Sequence, residues 1–93
     1  MMNKVIAVTA NDDFSLDLKF NDGSEKRFDA KPYLDYEAFR ELKDLNYFKQ
    51  VKLAFGTVQW RHEQDISPDT LYFEGVAVPI SKPDEPVVAN LPG

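Results

Sequence analysis

The stretch from Phe14 to Phe20 alternates apolar and polar residues without a break, and no other pattern in the chain restricts the fold as strongly. Successive side chains of a β-strand point to opposite faces of the sheet, so strict alternation predicts a strand with one buried face. The apolar residues that would share this face are Phe14, Leu16, Leu18 and Phe20. The chain therefore requires a sheet with one side covered by other parts of the molecule.

A hairpin follows this strand, and the apolar pattern selects its register. The turn residues Asn21-Asp22-Gly23 precede a return strand. A two-residue loop would place Leu18 opposite Arg27. A three-residue loop places Leu16 opposite Phe28 instead. Because a shift of one residue moves a whole strand to the wrong face, the three-residue loop is favoured, with its glycine in the left-handed conformation.

A second hairpin is predicted from Val51–Phe55 and Thr57–Trp60. A short turn between them sets Leu53 opposite Val58, so that two apolar residues share a face. Gly56 suits the third position of a type II turn, which requires a positive φ.

The helix signals are short. Asp35 is placed to cap a helix over Tyr36–Lys43, with Phe39 facing the core, so that Phe39→Ala would cost roughly 3–5 kcal/mol. Lys31–Leu34 is expected to be a non-helical connection, because a residue that precedes proline disfavours the helical region. Ser67-Pro68-Asp69 has the residues of a helix start: a cap, a proline at the first position and an acidic first turn.

These elements predict an α+β fold. It would have one small antiparallel sheet of about five strands, one short helix packed on the sheet, and a helical turn after the Trp60–Asp65 turn. The sheet would comprise the two hairpins and an N-terminal strand over Val5–Ala10. We assign residues 1–75 to a single domain. Residues 76–93 hold four of the six prolines and predict a tail, with an edge strand at Val76–Ile80 and poor order beyond it.

The composition argues against several classes of function. The formal net charge of −5 disfavours binding of a nucleic acid backbone by this domain alone. The chain has no cysteine, so neither disulfides nor thiolate chemistry are available, as suits a reducing compartment. The apolar run at Val5–Ala10 is too short for a signal peptide or a membrane span. We therefore expect a cytoplasmic protein without a membrane partner.

One grouping in the sequence resembles a metal or acid–base site, namely His62, Glu63, Asp65 and Asp69. A transition-metal site usually needs several His or Cys ligands, and general acid–base catalysis needs a perturbed pKa in a cleft. We therefore expect no enzyme activity, catalytic residue, metal or cofactor. Asp65 is expected to accept backbone N–H bonds within its turn, and Trp60 to lie in the core.

The chain resembles the small bacterial domain-of-unknown-function family 2442. The matching residues run from Val5 to Tyr72 and include Phe20-Asn-Asp-Gly23 and the block Asp65-Ile-Ser-Pro-Asp-Thr-Leu-Tyr72. The family usually has a Pro and a Gly between Trp60 and Asp65, where this chain has other residues. The turn would therefore be wider here, or held by side chains. The resemblance implies an α+β domain without an assigned catalytic site. Some members are suspected antitoxins, and some longer relatives carry a DNA-binding domain.

Two functions are compatible with these features. The first is a protein-interaction module, the antitoxin-like partner of a small toxin. The second is a small-ligand-binding or sensing domain detached from a transcriptional regulator. Exposed strand edges also favour a homodimer. The residues expected to form the interaction surface are Arg61, His62, Glu63, Asp65, Val76, Val78 and Ile80.

Gly23→Ala is expected to lower the free energy of unfolding by about 1 kcal/mol or more, because a side chain at a left-handed position is strained. Denaturant or thermal unfolding of the two proteins measures the difference. An unchanged melting temperature would contradict the three-residue loop.

Overall fold

The computed structural model describes residues 3–78, and these form a small α+β domain. The strands are β1 (Val5–Ala10), β2 (Ser15–Phe20), β3 (Glu25–Asp29), β4 (Lys52–Ala54), β5 (Thr57–Gln59), β6 (Asp65–Ile66) and β7 (Val76–Ala77). The α-helices are α1 (Leu45–Phe48) and α2 (Pro68–Glu74), and two 3₁₀ helices span Lys31–Tyr33 and Glu37–Lys43. The predicted α+β class, with antiparallel strands and short helices, is confirmed.

The strands form two sheets, whereas the sequence predicted one sheet of about five strands. One sheet has the order β1-β2-β3-β7 and the other β4-β5-β6, and all neighbours are antiparallel. A bulge between Val5 and Ala7 interrupts the register of β1, and a bulge bends a strand and increases its twist. Beside it, β1 meets the β4–β5 turn through a hydrogen bond from the Val5 N–H to the Gly56 carbonyl, at 2.9 Å, without forming a ladder.

The register predicted for the first hairpin is confirmed. Leu16 is paired with Phe28, and Gly23 has a φ of 89°. Phe14 departs from the prediction, because its φ is 64° and the strand begins at Ser15. Phe14 closes the preceding β1–β2 loop and cannot also continue the extended strand.

The second hairpin also has the predicted register, with Leu53 opposite Val58. The turn type was wrong. Phe55 and Gly56 have φ values of 54° and 76°, and two positive φ values define a type I′ turn. This type is preferred in two-residue hairpins because its twist matches that of the strands, whereas type II would splay them.

Three loops of the molecule share one geometry. In each, the first residue donates its N–H to the carbonyl of the fifth, and the fourth donates to the carbonyl of the first, at 2.8–3.2 Å. The fourth residue has a positive φ in every case. The three loops begin at Asn11, Phe20 and Trp60 and have Phe14, Gly23 and Glu63 at the fourth position.

Two of the helix predictions need correction. The helix expected over Tyr36–Lys43 is a 3₁₀ helix over Glu37–Lys43 without a side-chain cap, because it begins one residue later and Tyr36 takes the cap position. Asp35 forms an ion pair with Lys43 at 3.2 Å. Residues 31–33 are helical rather than extended, since Pro32 lies in the first turn, where a missing N–H costs nothing. The start of α2 is as predicted, with Ser67 accepting the Thr70 N–H at 3.2 Å.

The last described strand, β7, pairs with the edge of β3. Its two residues, Val76 and Ala77, fall within the predicted edge strand. The rest of the predicted tail, residues 79–93, lies outside the described residues.

The core lies between the sheets and the helices. Trp60 is fully buried, as predicted. The other fully buried large side chains are Phe20, Phe28, Phe48, Leu16, Leu18, Leu42, Leu71 and Val58. Phe39 packs against this cluster but is only partly buried.

Leu42→Ala is expected to destabilise the protein by about 2–5 kcal/mol, because Leu42 is 1% exposed and its loss leaves a cavity. Phe39→Ala should cost less than the roughly 3–5 kcal/mol expected from the sequence, since part of that ring already faces water. Urea unfolding of both variants tests this order. A greater loss for Phe39→Ala would contradict the packing described here.

Candidate functional site

The segment from Trp60 to Gln64, named here the braced loop, connects β5 to β6. Trp60, its first residue, is 0% exposed, and Ile66, two residues beyond its other end, is 6% exposed, so the core holds the chain on both sides of the loop. Glu63 occupies the left-handed position with a φ of 70°. The geometrically equivalent residue of the β2–β3 loop is Gly23, which has no side chain to strain. A glutamate at this position raises the energy of the loop.

Side chains from two helical elements hold the braced loop in place. Both oxygens of Glu41, on the second 3₁₀ helix, lie within 2.9 Å of the His62 Nδ1. The Gln64 Nε2 donates to the same carboxylate at 2.7 Å. Tyr47, on α1, accepts the His62 backbone N–H at 2.9 Å and donates its hydroxyl hydrogen to the Gln64 Oε1 at 2.6 Å.

The sequence left two alternatives for this turn, a wider loop or a loop held by side chains, and the structure decides between them. The braced loop keeps the three-residue connection of Arg61, His62 and Glu63, with the hydrogen bonds of the β2–β3 loop. It is held by side chains and is no wider than the loop closed by Gly23.

The electrostatics of the loop centre on Glu41. The hydrogen bond from His62, and secondarily that from Gln64, lowers the pKa of the Glu41 carboxyl below its ordinary value of 4.5. The ionised carboxylate thus acts as an acceptor that orients the loop. The side chains of His62 and Glu41 are 56% and 49% exposed, so this pair lies on the surface and not in a water-excluded cleft.

Arg61, Glu63 and Asp65 are all exposed. The carboxylate of Asp65 accepts no hydrogen bond from residues 3–78, contrary to the turn role predicted for it, and Asp65 instead pairs with Gln59 in the β5–β6 ladder. Asp69 lies apart, in the first turn of α2, where it accepts a hydrogen bond from Asn3 at 3.1 Å.

The structure does not bring His62, Glu63, Asp65 and Asp69 together in the manner of a metal site. No set of three or more His, Cys, Asp or Glu side chains that could hold an ion occurs in the part of the chain from residue 3 to 78.

Val76 and Val78 lie in a different part of the fold from the braced loop. Both line a cavity of about 310 Å³ beside the four-stranded sheet, together with residues of β2, β3 and α2. Ile80 lies outside the described residues.

Sequence reasoning missed the residues that brace the loop. Glu41 and Tyr47 are separated from His62 by 21 and 15 positions, and no local spacing connects them. It also missed Phe55, which is 96% exposed at a left-handed turn position. An aromatic residue before glycine in a two-residue hairpin loop, where Asn or Asp is preferred, is the signal that could have drawn attention to it.

Antiparallel hairpins, short helices and a core centred on Trp60 define a small α+β domain. The chain belongs to the family described as "Protein of unknown function (DUF2442)", whose model matches residues 5–77. No curated protein and no solved structure matched the chain. Within residues 3–78, every helix is too short or too polar to cross a membrane.

Glu41→Gln tests the electrostatic role of the brace. A lowered pKa in the folded state stabilises the fold above the ordinary value of 4.5, and this stabilisation is lost as the pH falls through the lowered value. The variant should therefore be less stable than the wild type at about pH 6, and the difference should shrink towards about pH 3. Denaturant unfolding across this range measures the effect.

Glu37→Gln, on the same 3₁₀ helix, is the matched control for loss of an exposed carboxylate. A pH dependence equal for the two variants would mean that the contacts with His62 and Gln64 contribute nothing particular.

Proposed function

We propose that this protein is a non-enzymatic protein-interaction module, and that the braced loop is its contact surface. The domain would present a preformed, charged loop to a protein partner in the cytoplasm. The exposed Arg61 and Glu63 side chains would make the contacts, while His62 and Gln64 are turned to the brace.

The observation that carries this proposal is the left-handed Glu63. The same loop is closed without strain by Gly23 elsewhere in the molecule, so the geometry itself does not demand glutamate. A residue held in an unfavourable conformation persists when its surroundings over-determine it, and such residues cluster at functional sites. Here the brace from Glu41 and Tyr47 supplies the constraint.

Rigidity of the loop supports a binding role. A loop already fixed in one conformation loses little entropy on contact, so more of the interaction energy appears as affinity. Five hydrogen-bond contacts from side chains of neighbouring elements or of the loop itself fix this one. The exposed charges of opposite sign on Arg61 and Glu63 favour a partner surface that also carries both signs.

An antitoxin-like role is the specific form of this proposal. The family likeness suggests it, because some members are suspected antitoxins of small toxins. The acidic net charge of −5 would favour association with a basic partner. Phe55, exposed at the opposite end of β5 from the braced loop, offers an apolar contact of the kind enriched in interfaces.

Glu63→Gly should separate stability from function. Relief of backbone strain is expected to raise the free energy of unfolding by about 0.5–1 kcal/mol, while loss of the carboxylate weakens partner capture. The measurement combines thermal unfolding with affinity purification of the tagged chain from its own cells, followed by mass spectrometry.

Arg61→Ala should also reduce capture of the same partner without changing the melting temperature. Lys19→Ala, an exposed change on β2, is the control that should leave both unchanged. If Arg61→Ala and Glu63→Gly capture every partner as well as the wild type does, the braced loop is not the contact surface.

A further inference from the structure

The cavity of about 310 Å³ is formed by side chains from several elements of the four-stranded sheet and its surroundings. Ser15 is paired with Asp29, and Arg27 with Val76, so these residues lie on one face of the sheet. This face is opposite to the one that buries Leu16 and Phe28 in the core. The volume lies at the lower end of the range of small-molecule sites, so it suits a compact ligand.

Two cationic side chains line the cavity, those of Arg27 and Lys31, and each retains N–H donors that the described residues do not use. The Arg27 Nε and Nη2 bond the Asp17 carboxylate at 2.6 and 3.2 Å, which orients the guanidinium and leaves Nη1 available. The Lys31 Nζ lies 3.3 Å from an Asp29 oxygen and 3.3 Å from the Asp13 carbonyl. An ammonium carries three hydrogens, so Lys31 retains donor capacity.

Two carboxylates of the cavity accept hydrogen bonds only from neutral groups, although Asp13 also interacts at longer range with the charges of Lys31 and Arg27. The Asp13 Oδ1 accepts the N–H and the hydroxyl of Ser15, and the Glu74 Oε1 accepts the Tyr33 hydroxyl. In the described part of the chain, neither carboxylate forms a direct ion pair. The Asp13 Oδ2 and Glu74 Oε2 thus remain free to accept a cation.

The hydrogen bond to Glu74 raises the pKa of Tyr33 to about 12. The phenol therefore remains a neutral donor near neutral pH, and the negative charge of Glu74 is not cancelled by it. Val76 and Val78 supply apolar surface beside these polar groups, and Val76 is 67% exposed. The cavity thus combines cationic donors, anionic acceptors and an apolar wall.

We propose that this cavity binds a small zwitterion of the amino-acid class. The ligand's carboxylate would face Arg27 and Lys31, its ammonium would face Asp13 and Glu74, and its side chain would lie against the two valines. A simple anion would be repelled by Asp13 and Glu74, and a simple amine would leave the spare donors of Arg27 and Lys31 unused. A molecule with both charges and an apolar group satisfies all three kinds of surface.

This site shares no residue with the braced loop. Its function would be recognition of a metabolite, as in a sensing domain, and it does not depend on the protein-interaction role. Either proposal can therefore fail while the other stands.

The test is ligand binding to the full chain, with the free amino acids used singly as probes. Thermal shift at a ligand concentration of about 10 mM, followed by isothermal titration calorimetry, should identify at least one amino acid that raises the melting temperature. The N-acetyl derivative and the methyl ester of that amino acid should bind at least about tenfold more weakly, because each lacks one of the two charges.

Two variants connect binding to the cavity. Glu74→Gln keeps an acceptor for Tyr33 but removes the charge, and Arg27→Gln removes the guanidinium. Each should weaken binding at least about tenfold. Their matched controls, Glu37→Gln and Arg40→Gln, change an exposed ion pair on the second 3₁₀ helix and should bind like the wild type. Circular dichroism confirms that each variant is folded.

Any of three results would overturn the proposal: no amino acid alters the melting temperature, the methyl ester binds as tightly as the free amino acid, or Glu74→Gln binds undiminished. Tight binding of the ester would identify the cavity as a site for amines alone.

Discussion

Burial of the Trp60 indole holds the aromatic core together. The indole is 0% exposed, and its Nε1–H donates to the Phe48 carbonyl at 2.8 Å, so the core contains no unpaired indole donor. The Phe48 ring contacts two other rings: its centroid lies 5.8 Å from that of Trp60 and 5.2 Å from that of Phe14. Since Phe14 belongs to a loop of one sheet and Trp60 to the other, this aromatic contact couples the two sheets through α1.

The same loop geometry is used three times, and the fourth residue shows what each copy contributes. Gly23 closes a loop without strain. Phe14 accepts the strained conformation and places its ring against Phe48 in the core. Glu63 accepts it on the surface, where Glu41 and Tyr47 hold the neighbouring residues. The same backbone geometry therefore connects two strands at Gly23, packs a ring into the core at Phe14 and exposes a charged side chain at Glu63.

The two proposed sites use the two sheets differently. The three-stranded sheet is short, and its β5–β6 loop is fixed by side chains from the helical segment that precedes the sheet in the chain. The four-stranded sheet exposes a charged outer face, and the addition of β7 at its edge completes a cavity there. A small domain can therefore carry a protein contact and a metabolite site on separate surfaces around one core.

The hairpin registers, the start of α2 and the burial of Trp60 were predictable from the sequence, because alternation, turn residues and caps act between residues close in the chain. The sequence did not determine the division into two sheets, the 3₁₀ form of the helix over Glu37–Lys43 or the brace of Glu41 and Tyr47 on His62. Those features depend on contacts between residues far apart in sequence. They emerge only in the folded molecule, because the position of each partner is set by how the aromatic core packs.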